Sequence, residues 1–595
     1  MCGIAGWIVP PQAVPDMRVL EAMADALAHR GPDDQGQITD SAKGVALAHR
    51  RLSILDLSQT SHQPLVDEGT GVALSFNGEI YNYSALRREL RACSHHFNSS
   101  GDTEVLLRSY LEWGLDALPR LAGMFAFAIW DPRSGLLHLA RDAMGMKPLY
   151  LTRFRGGFGF ASELKALLHL PGFQRDLDER GLQQYLEFGY IIETSRTILA
   201  QVQRLGPGER LSLGPTGNQE VAIREQTFWY HPPRPSSSSK GIEAISKKLG
   251  NTLEQVVAEH LVADVPVGLL LSGGLDSSLI AALAARRGEL TTITMGFENS
   301  SIDERAEAEI VANHIGSNHY SCTISINEVR AEIESGAWVF DDLFSDLGTI
   351  STRLLYRRCR ELGLKVVLVG EGADELFGGY DVFLNLPKRL GLRALFSLYR
   401  RYVGRRYGSN FGTFLETMRG FSRDAGGDSM HAIRLFESRR QLPANYVMKV
   451  DKASMAESIE ARCPYLDPRI ADIAYASPLP PIQLPSQKKQ LLQAIAKRSN
   501  LLPPRITRRH KFGAPLPTDW LDRDASLRRF TAEHLLQRGN LTERLGLRPA
   551  MEAYLKRGIQ GEPWPLPLSI YRNLAWKLLL LELWAPLYLQ PAQSR

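Results

Sequence analysis

The run His231-Pro232-Pro233-Arg234-Pro235, followed by Ser236–Ser239, does most to limit how this chain folds. Proline fixes φ and removes a backbone donor, and a serine cluster after it leaves nothing to bury. Such a stretch reads as an exposed linker. A chain of 595 residues is also too long for one hydrophobic core. The break therefore predicts a first domain over 1–210, a linker over 211–240 and a second domain over 241–595.

The two sides of the break differ in pattern. On the N-terminal side, Gly44–Leu57 and Val72–Ile80 read as strands. Phe125–Trp130 and Leu136–Arg141 flank the turn 131–135, a hairpin signal. Leu149–Phe154 and Phe158–Ala161 flank Arg155-Gly156-Gly157 in the same way. Consecutive hairpins predict sheet packed on sheet. On the C-terminal side, short apolar strands (Val267–Leu271, Leu290–Phe297, Lys365–Val369) alternate with helical runs at Ser277–Arg287 and from Asp303 to Gly316. That alternation predicts a parallel sheet covered by helices. Beyond about residue 390 the chain reads mostly as helix.

Composition narrows the function. A net charge of +5, from 70 basic and 65 acidic residues, gives no case for a nucleic-acid partner. The N-terminus lacks the pattern of a signal peptide. The greasiest stretch, Leu574–Leu589, contains Lys577, Glu582 and Pro586, and is too short and interrupted to span a bilayer. It is expected to dock on the core as a terminal helix. Five scattered cysteines without metal-ligand spacing read as free thiols in a reducing cytoplasm.

Cys2 follows the initiator methionine in Met1-Cys2-Gly3-Ile4-Ala5-Gly6. Trimming of the methionine would leave a thiol and a free amine, with a pKa of roughly 8, on one residue. The amine can then take the thiol proton. Four further clusters offer partners: His29–Asp34 and His49–Ile54 bring cations, Asn77–Asn82 an amide and a carboxylate, and Gly101–Glu104 two more acids. Each alone is compatible with a turn or a solvated loop. A thiol attacking a carboxamide needs oxyanion donors, which Asn77 and the Gly78 N–H can supply.

These motifs resemble the N-terminal-nucleophile glutaminase domain of class II glutamine amidotransferases, an αββα fold. The resemblance implies that Cys2 attacks the glutamine side-chain amide and releases ammonia. It places Asn77 and Gly78 in the oxyanion hole, and Arg50 on the glutamine α-carboxylate. Leu52, Ile54, Glu79 and Asp102 complete the glutamine pocket. Gly101 stands where the family usually has serine.

In the second half, Leu271-Ser272-Gly273-Gly274-Leu275-Asp276-Ser277-Ser278 joins a strand to a helix. Glycine N–H groups and a helix N-terminus there suit phosphates. Asp276 would repel a phosphate unless a cation intervenes, which predicts Mg²⁺. No Gly-x-x-x-x-Gly-Lys-Ser/Thr motif occurs. A second loop, Gly370–Tyr380, also follows an apolar strand. In a parallel sheet both loops emerge at the same edge, where Asp276 and Asp374 could share the metal. The segment Val450–Asp467 carries no chemistry by its residue types alone.

The first loop resembles the pyrophosphatase loop of ATP-cleaving adenylating enzymes. With Gly370–Tyr380 and Val450–Asp467 in order, nearly the whole chain resembles glutamine-hydrolysing asparagine synthetases of the bacterial type. That resemblance implies a C-terminal ATP-pyrophosphatase domain, with ATP, aspartate and glutamine as substrates, and is compatible with a homodimer. It places Leu271, Ser272, Gly273, Gly274, Asp276, Ser277, Ser278, Met295, Val369 and Gly370 around ATP. Glu371 would be the base on ammonia, and Lys489 would stabilise the adenylation transition state. Leu343, Val369 and Gln493 depart from the family pattern of proline, serine and arginine. They leave open an acceptor other than aspartate, such as a sugar acid or a secondary-metabolite precursor.

Overall fold

The computed structural model describes residues 2–216, 220–235, 241–298, 303–346, 348–403, 411–498, 501–507, 524–547, 552, 556 and 569–589. Met1 and the linker serines Ser236–Ser239 lie outside the described residues. The N-terminal unit opens with β1 (Gly3–Ile8), β2 (Asp34–Asp40), β3 (Val45–Arg51), β4 (Leu65–Val66), β5 (Ala73–Ile80) and β6 (Gly123–Asp131). It continues with β7 (Leu136–Arg141), β8 (Tyr150–Phe154), β9 (Gly157–Ala161), β10 (Val202–Arg204), β11 (Glu209–Pro215) and β12 (Val221–Phe228). These form two antiparallel six-stranded sheets, ordered β10-β8-β9-β1-β3-β2 and β12-β11-β7-β6-β5-β4. Both expected hairpins are present, as the β6–β7 and β8–β9 pairs. The linker is shorter than the expected 211–240, because β11 and β12 pair along most of residues 209–228 and extend the second sheet.

Side-chain alternation sorts each strand into an inner and an outer face. Ile4 and Ile8 of β1, and Val45 and Leu47 of β3, meet Ala73, Ala126, Ala128 and Trp130 of the second sheet. The outer residues Ala5, Trp7, Ala46 and Ala48 pack under helix α1 (Met17–Asp25). On the other side, Leu74, Phe76 and Ile80 of β5 pack under α2 (Tyr83–Ala92) and α3 (Asp102–Trp113). The result is the expected αββα sandwich.

The second unit is built on β13 (Val267–Leu270), β14 (Thr291–Phe297), β15 (Asn318–Ile324), β16 (Val366–Leu368) and β17 (Glu460–Arg462). All pair in parallel, in the order β15-β14-β13-β16-β17. The chain winds outward from β13 to β15, then restarts at β16 on the opposite side. The strand order thus reverses between β13 and β16, and in open α/β sheets ligands bind at the C-terminal strand ends beside such a reversal. Among the described residues, no helix is long and apolar enough to cross a membrane. The apolar C-terminal stretch forms the helix Ser569–Tyr588, which docks as expected. Its Leu578, Leu581 and Trp584 pack with Leu186 and Ile191 of the first unit, while Trp576 and Leu579 pack with Ile333 and Leu354 of the second.

The segment Val450–Asp467 turns out to be the strap between the units. Asp451, on the helix Val447–Met455, receives both terminal nitrogens of Arg30 at 2.9 and 3.1 Å, and Lys147 at 3.3 Å. Arg30 also binds Glu163 at 2.7 Å and donates through Nε to the carbonyl of Cys2 at 3.0 Å. Lys452 pairs with Asp341 at 2.6 Å. All of these charges are buried. Removing one partner from such a cluster strands the others without water. Asp451→Ala is therefore expected to cost about 3–5 kcal/mol of stability, measured as a lowered calorimetric unfolding temperature relative to the parent chain.

Candidate functional site

Strand parity brings the first site together. Cys2 continues the inner face of Ile4 and Ile8, and Asn77 and Glu79 continue that of Ala73 on β5. The Cys2 backbone N–H donates to Asn77 Oδ1 at 2.9 Å. The other end of that amide, Nδ2, is buried and has no hydrogen-bond partner among the described residues. A buried, unspent donor beside a thiol is what a developing oxyanion requires. Gly78 packs against β6 so closely that a Cβ there would lie 2.1 Å from the Met124 carbonyl oxygen, so only glycine fits.

Burial pushes the Cys2 thiol up, while the Leu52 backbone N–H and Arg51 act in the opposite direction. Burial also holds His49 well below its ordinary range, so it stays neutral beside Ser75 at 3.1 Å. Asp102, in the first turn of α3, accepts from the Ile80 N–H at 2.8 Å, yet burial pushes it up to about 6. Burial, together with Glu460 and Asp102, raises Glu79 well above the usual carboxylate range. Leu52 and Ile54 are buried on the loop after β3.

Arg50 does not join them. It sits on the outer face of β3, where its Nε donates to the Ala24 carbonyl at 3.2 Å and its guanidinium pairs with Asp25. The inner face at this point belongs to Arg51. Its guanidinium donates to the Leu55 and Ser58 carbonyls, both at 3.2 Å, and to that of Asp56 at 2.5 Å. Arg51 therefore shapes the loop that carries Leu52 and Ile54. The alternation of Val45, Leu47 and His49 was the sequence signal for this choice. Gly101 is the N-cap of α3, and a Cβ there would lie 3.1 Å from Ser61 Oγ.

The second site lies at the strand reversal. Ser272 and Ser277 brace the first loop through their hydroxyls at 3.0 Å, and the Gly274 N–H donates to Ser272 Oγ at 3.3 Å. The helix Leu275–Ala285 follows directly, with Asp276 in its first turn. Leu271 is buried and donates to the Ile293 carbonyl at 2.8 Å. Met295 is partly buried on the neighbouring β14. The loop after β16 abuts the first: a Cβ on Gly370 would touch the Ser277 nitrogen at 3.2 Å.

Lys489 joins the two loops. Its ammonium pairs with Asp276 and lies 2.6 Å from Asp374 Oδ1. Burial works against that charge, but the two acids outweigh it and raise the lysine pKa. Lys489 holds a left-handed backbone, φ 52°, which a β-branched or bulky residue rarely adopts. Gln493 braces this turn by donating to the carbonyls of Ser486 at 3.0 Å and Lys488 at 2.9 Å. The departure from arginine therefore supports the lysine. Leu343 packs in the core with Leu574 and Leu578, and Val369 is buried in the interdomain apolar cluster. Lys449, which the sequence did not single out, lies 3.6 Å from Asp346; burial opposes its charge, but Asp346 and Glu371 raise its pKa.

Residues 1–229 match the glutamine amidotransferase domain family, and residues 248–586 match the asparagine synthase family. Asparagine synthetase [glutamine-hydrolyzing] 1 of Bacillus subtilis is 32% identical over 569 residues, covering 88% of each chain. Asparagine synthetase [glutamine-hydrolyzing] 3 of the same organism is 30% identical over 518 residues, covering 80% of this chain and 81% of that one. A Penicillium rubens protein named amidase chyE is 33% identical over 412 residues, covering 64% of this chain and 60% of its own. With both catalytic units matched in order, this chain belongs to the glutamine-hydrolysing asparagine synthetase family, enzymes that form amides at the expense of glutamine.

Proposed function

We propose that this chain converts aspartate to asparagine, with glutamine as the nitrogen source and ATP as the activating substrate. With Met1 removed, the Cys2 amine takes the thiol proton and the sulfur attacks the glutamine side-chain carbonyl. Asn77 Nδ2 and the Gly78 N–H stabilise the oxyanion, ammonia leaves, and water releases glutamate from the thioester. Glu79 and Asp102 suit the substrate ammonium. Arg51, on the inner face of β3, is the cation that replaces Arg50 beside the pocket.

At the second centre, the aspartate β-carboxylate attacks the ATP α-phosphate, giving β-aspartyl-AMP and pyrophosphate. Ammonia then displaces AMP, with Glu371 accepting the proton. Asp276 and Asp374 form the kind of all-oxygen pair that Mg²⁺ takes, since both carboxylates reach one ammonium. No group of three acid, histidine or cysteine ligands occurs among the described residues. The protein would supply two ligands, and phosphate oxygens and water the rest. A bound Mg²⁺ would offset phosphate charge, and Lys489 supplies further positive charge at the same place.

One observation carries this reading. Leu52, whose backbone N–H faces the Cys2 thiol, and Met124, paired with Glu79 across β5 and β6, belong to the same buried apolar cluster as Val369, Cys463 and Tyr465 beside the second centre. An apolar path suits neutral ammonia. A second reading keeps the chemistry but changes the acceptor carboxylate, favoured by the likeness to a protein named amidase.

The deciding experiment supplies ATP, Mg²⁺, aspartate and glutamine labelled with ¹⁵N in the side-chain amide. Label in asparagine together with aspartate-dependent pyrophosphate is the expected result. Pyrophosphate indifferent to aspartate overturns the acceptor assignment. Asn77→Ala is expected to lower glutamine-dependent kcat by about 10²–10³ while amide formation from free ammonia persists. Gly379→Ala places a Cβ 1.7 Å from Asp374 Oδ1 and 2.3 Å from Lys489 Cε. It should abolish pyrophosphate release and leave glutamate production intact.

A further inference from the structure

The glutamine side of the molecule contains two charges that belong to the other unit. β17 carries Glu460 and Arg462 across the interface, both fully buried. Arg462 donates through Nε to Glu460 Oε1 at 2.6 Å, and through Nη1 to the carbonyls of His260 at 2.7 Å and Val262 at 2.8 Å. Its remaining nitrogen, Nη2, lies 3.5 Å from Glu79 Oε1 and makes no hydrogen bond among the described residues. Tyr81, next on from β5, lies under the same guanidinium at 5.7 Å and stacks on His260 at 3.5 Å. The guanidinium is thus clamped on three sides, with one end held toward Glu79.

We propose that Arg462 is a positioning residue of the glutamine pocket, holding Glu79 from the opposite unit at the place where the substrate α-ammonium binds. This rests on the glutaminase reading above. The unspent Nη2 closes onto Glu79 when that acid ionises, converting a slack 3.5 Å contact into a charge-assisted bond. The glutamine site is then complete only when the two units are docked.

The sign of the pH dependence follows from what faces Glu79. Glu460 and Arg462 approach from β17, Asp102 from α3, and Tyr81, Tyr83 and the terminal amine from the first unit. Burial, Glu460 and Asp102 keep Glu79 protonated well above the usual carboxylate range. An arriving α-ammonium favours the ionised acid, so glutamine binding releases a proton. Affinity is therefore poorest at low pH and improves as pH rises toward the resting Glu79 pKa. Loss of Arg462 raises that pKa further, shifting the improvement to higher pH.

The test uses the full-length chain with Cys2→Ala, which binds glutamine without turnover. Calorimetry in two buffers of different ionisation enthalpy reads affinity and protons released between pH 6 and 8.5. Proton release on glutamine binding within this range and a Kd that falls as pH rises are expected. Adding Arg462→Met, in protein whose unfolding temperature shows it folded, is expected to weaken binding at least tenfold. Arg462→Lys should restore part of that loss. A pH-independent Kd without proton release in the Cys2→Ala chain overturns the proposal without any change at Arg462. Binding within twofold of the parent in folded Arg462→Met overturns it as well. A parent enzyme that forms no glutamate from glutamine instead overturns the glutaminase reading itself.

Discussion

The buried contact of Arg30 with Asp451 and Glu163 is the constraint on which the rest of the molecule depends. Buried charges of this kind contribute little net stability over an apolar contact, because desolvation cancels much of the attraction. They do penalise any arrangement that separates the partners. Arg30 lies 28 residues after Cys2 and donates to the Cys2 carbonyl, whereas Asp451 lies on the helix that leads into β17. One guanidinium thus holds the Cys2 backbone and the docking of the second unit together. Lys147, Lys165, Lys452 and Asp341 extend the cluster, so the interface has a single electrostatic solution.

With the docking fixed, polar side chains gather at two places: Asn77, Glu79 and Asp102 in the first unit, and Asp276, Asp374 and Lys489 in the second. Leu52 and Met124 of the first unit share one buried apolar cluster with Val369 and Cys463 of the second. The segment 460–465 touches both. Arg462 approaches Glu79, and three residues later the Tyr465 hydroxyl donates to the Asp276 carbonyl at 3.0 Å.

Much of this was legible in the residues. The hairpins, the parallel strands and both glycine loops were marked by turn chemistry and periodicity, which are local. The helix Arg305–Ile315 ends at Gly316 in the left-handed conformation, as its sequence implied. Two features were not legible. The polar face of β12 looks like loop until it pairs with β11, so the linker is shorter than expected. Adjacent arginines are chemically alike, and only strand parity puts Arg50 on the outer face of β3 and Arg51 on the inner.

The sequence alone determined which groups were available: a thiol at Cys2, an amide at Asn77, two acid-bearing glycine loops and a lysine at 489. It determined the two units as well, because proline clustering and the change of period act over a few residues. Only the tertiary structure decided which charges meet. Arg30 and Asp451 are 421 residues apart, and Lys489 is 213 from Asp276. The Val450–Asp467 segment carried no chemical signal of its own. Its role comes from burial, which makes an ordinary Arg or Asp decisive once water is excluded and a partner from the other unit is the only one within reach.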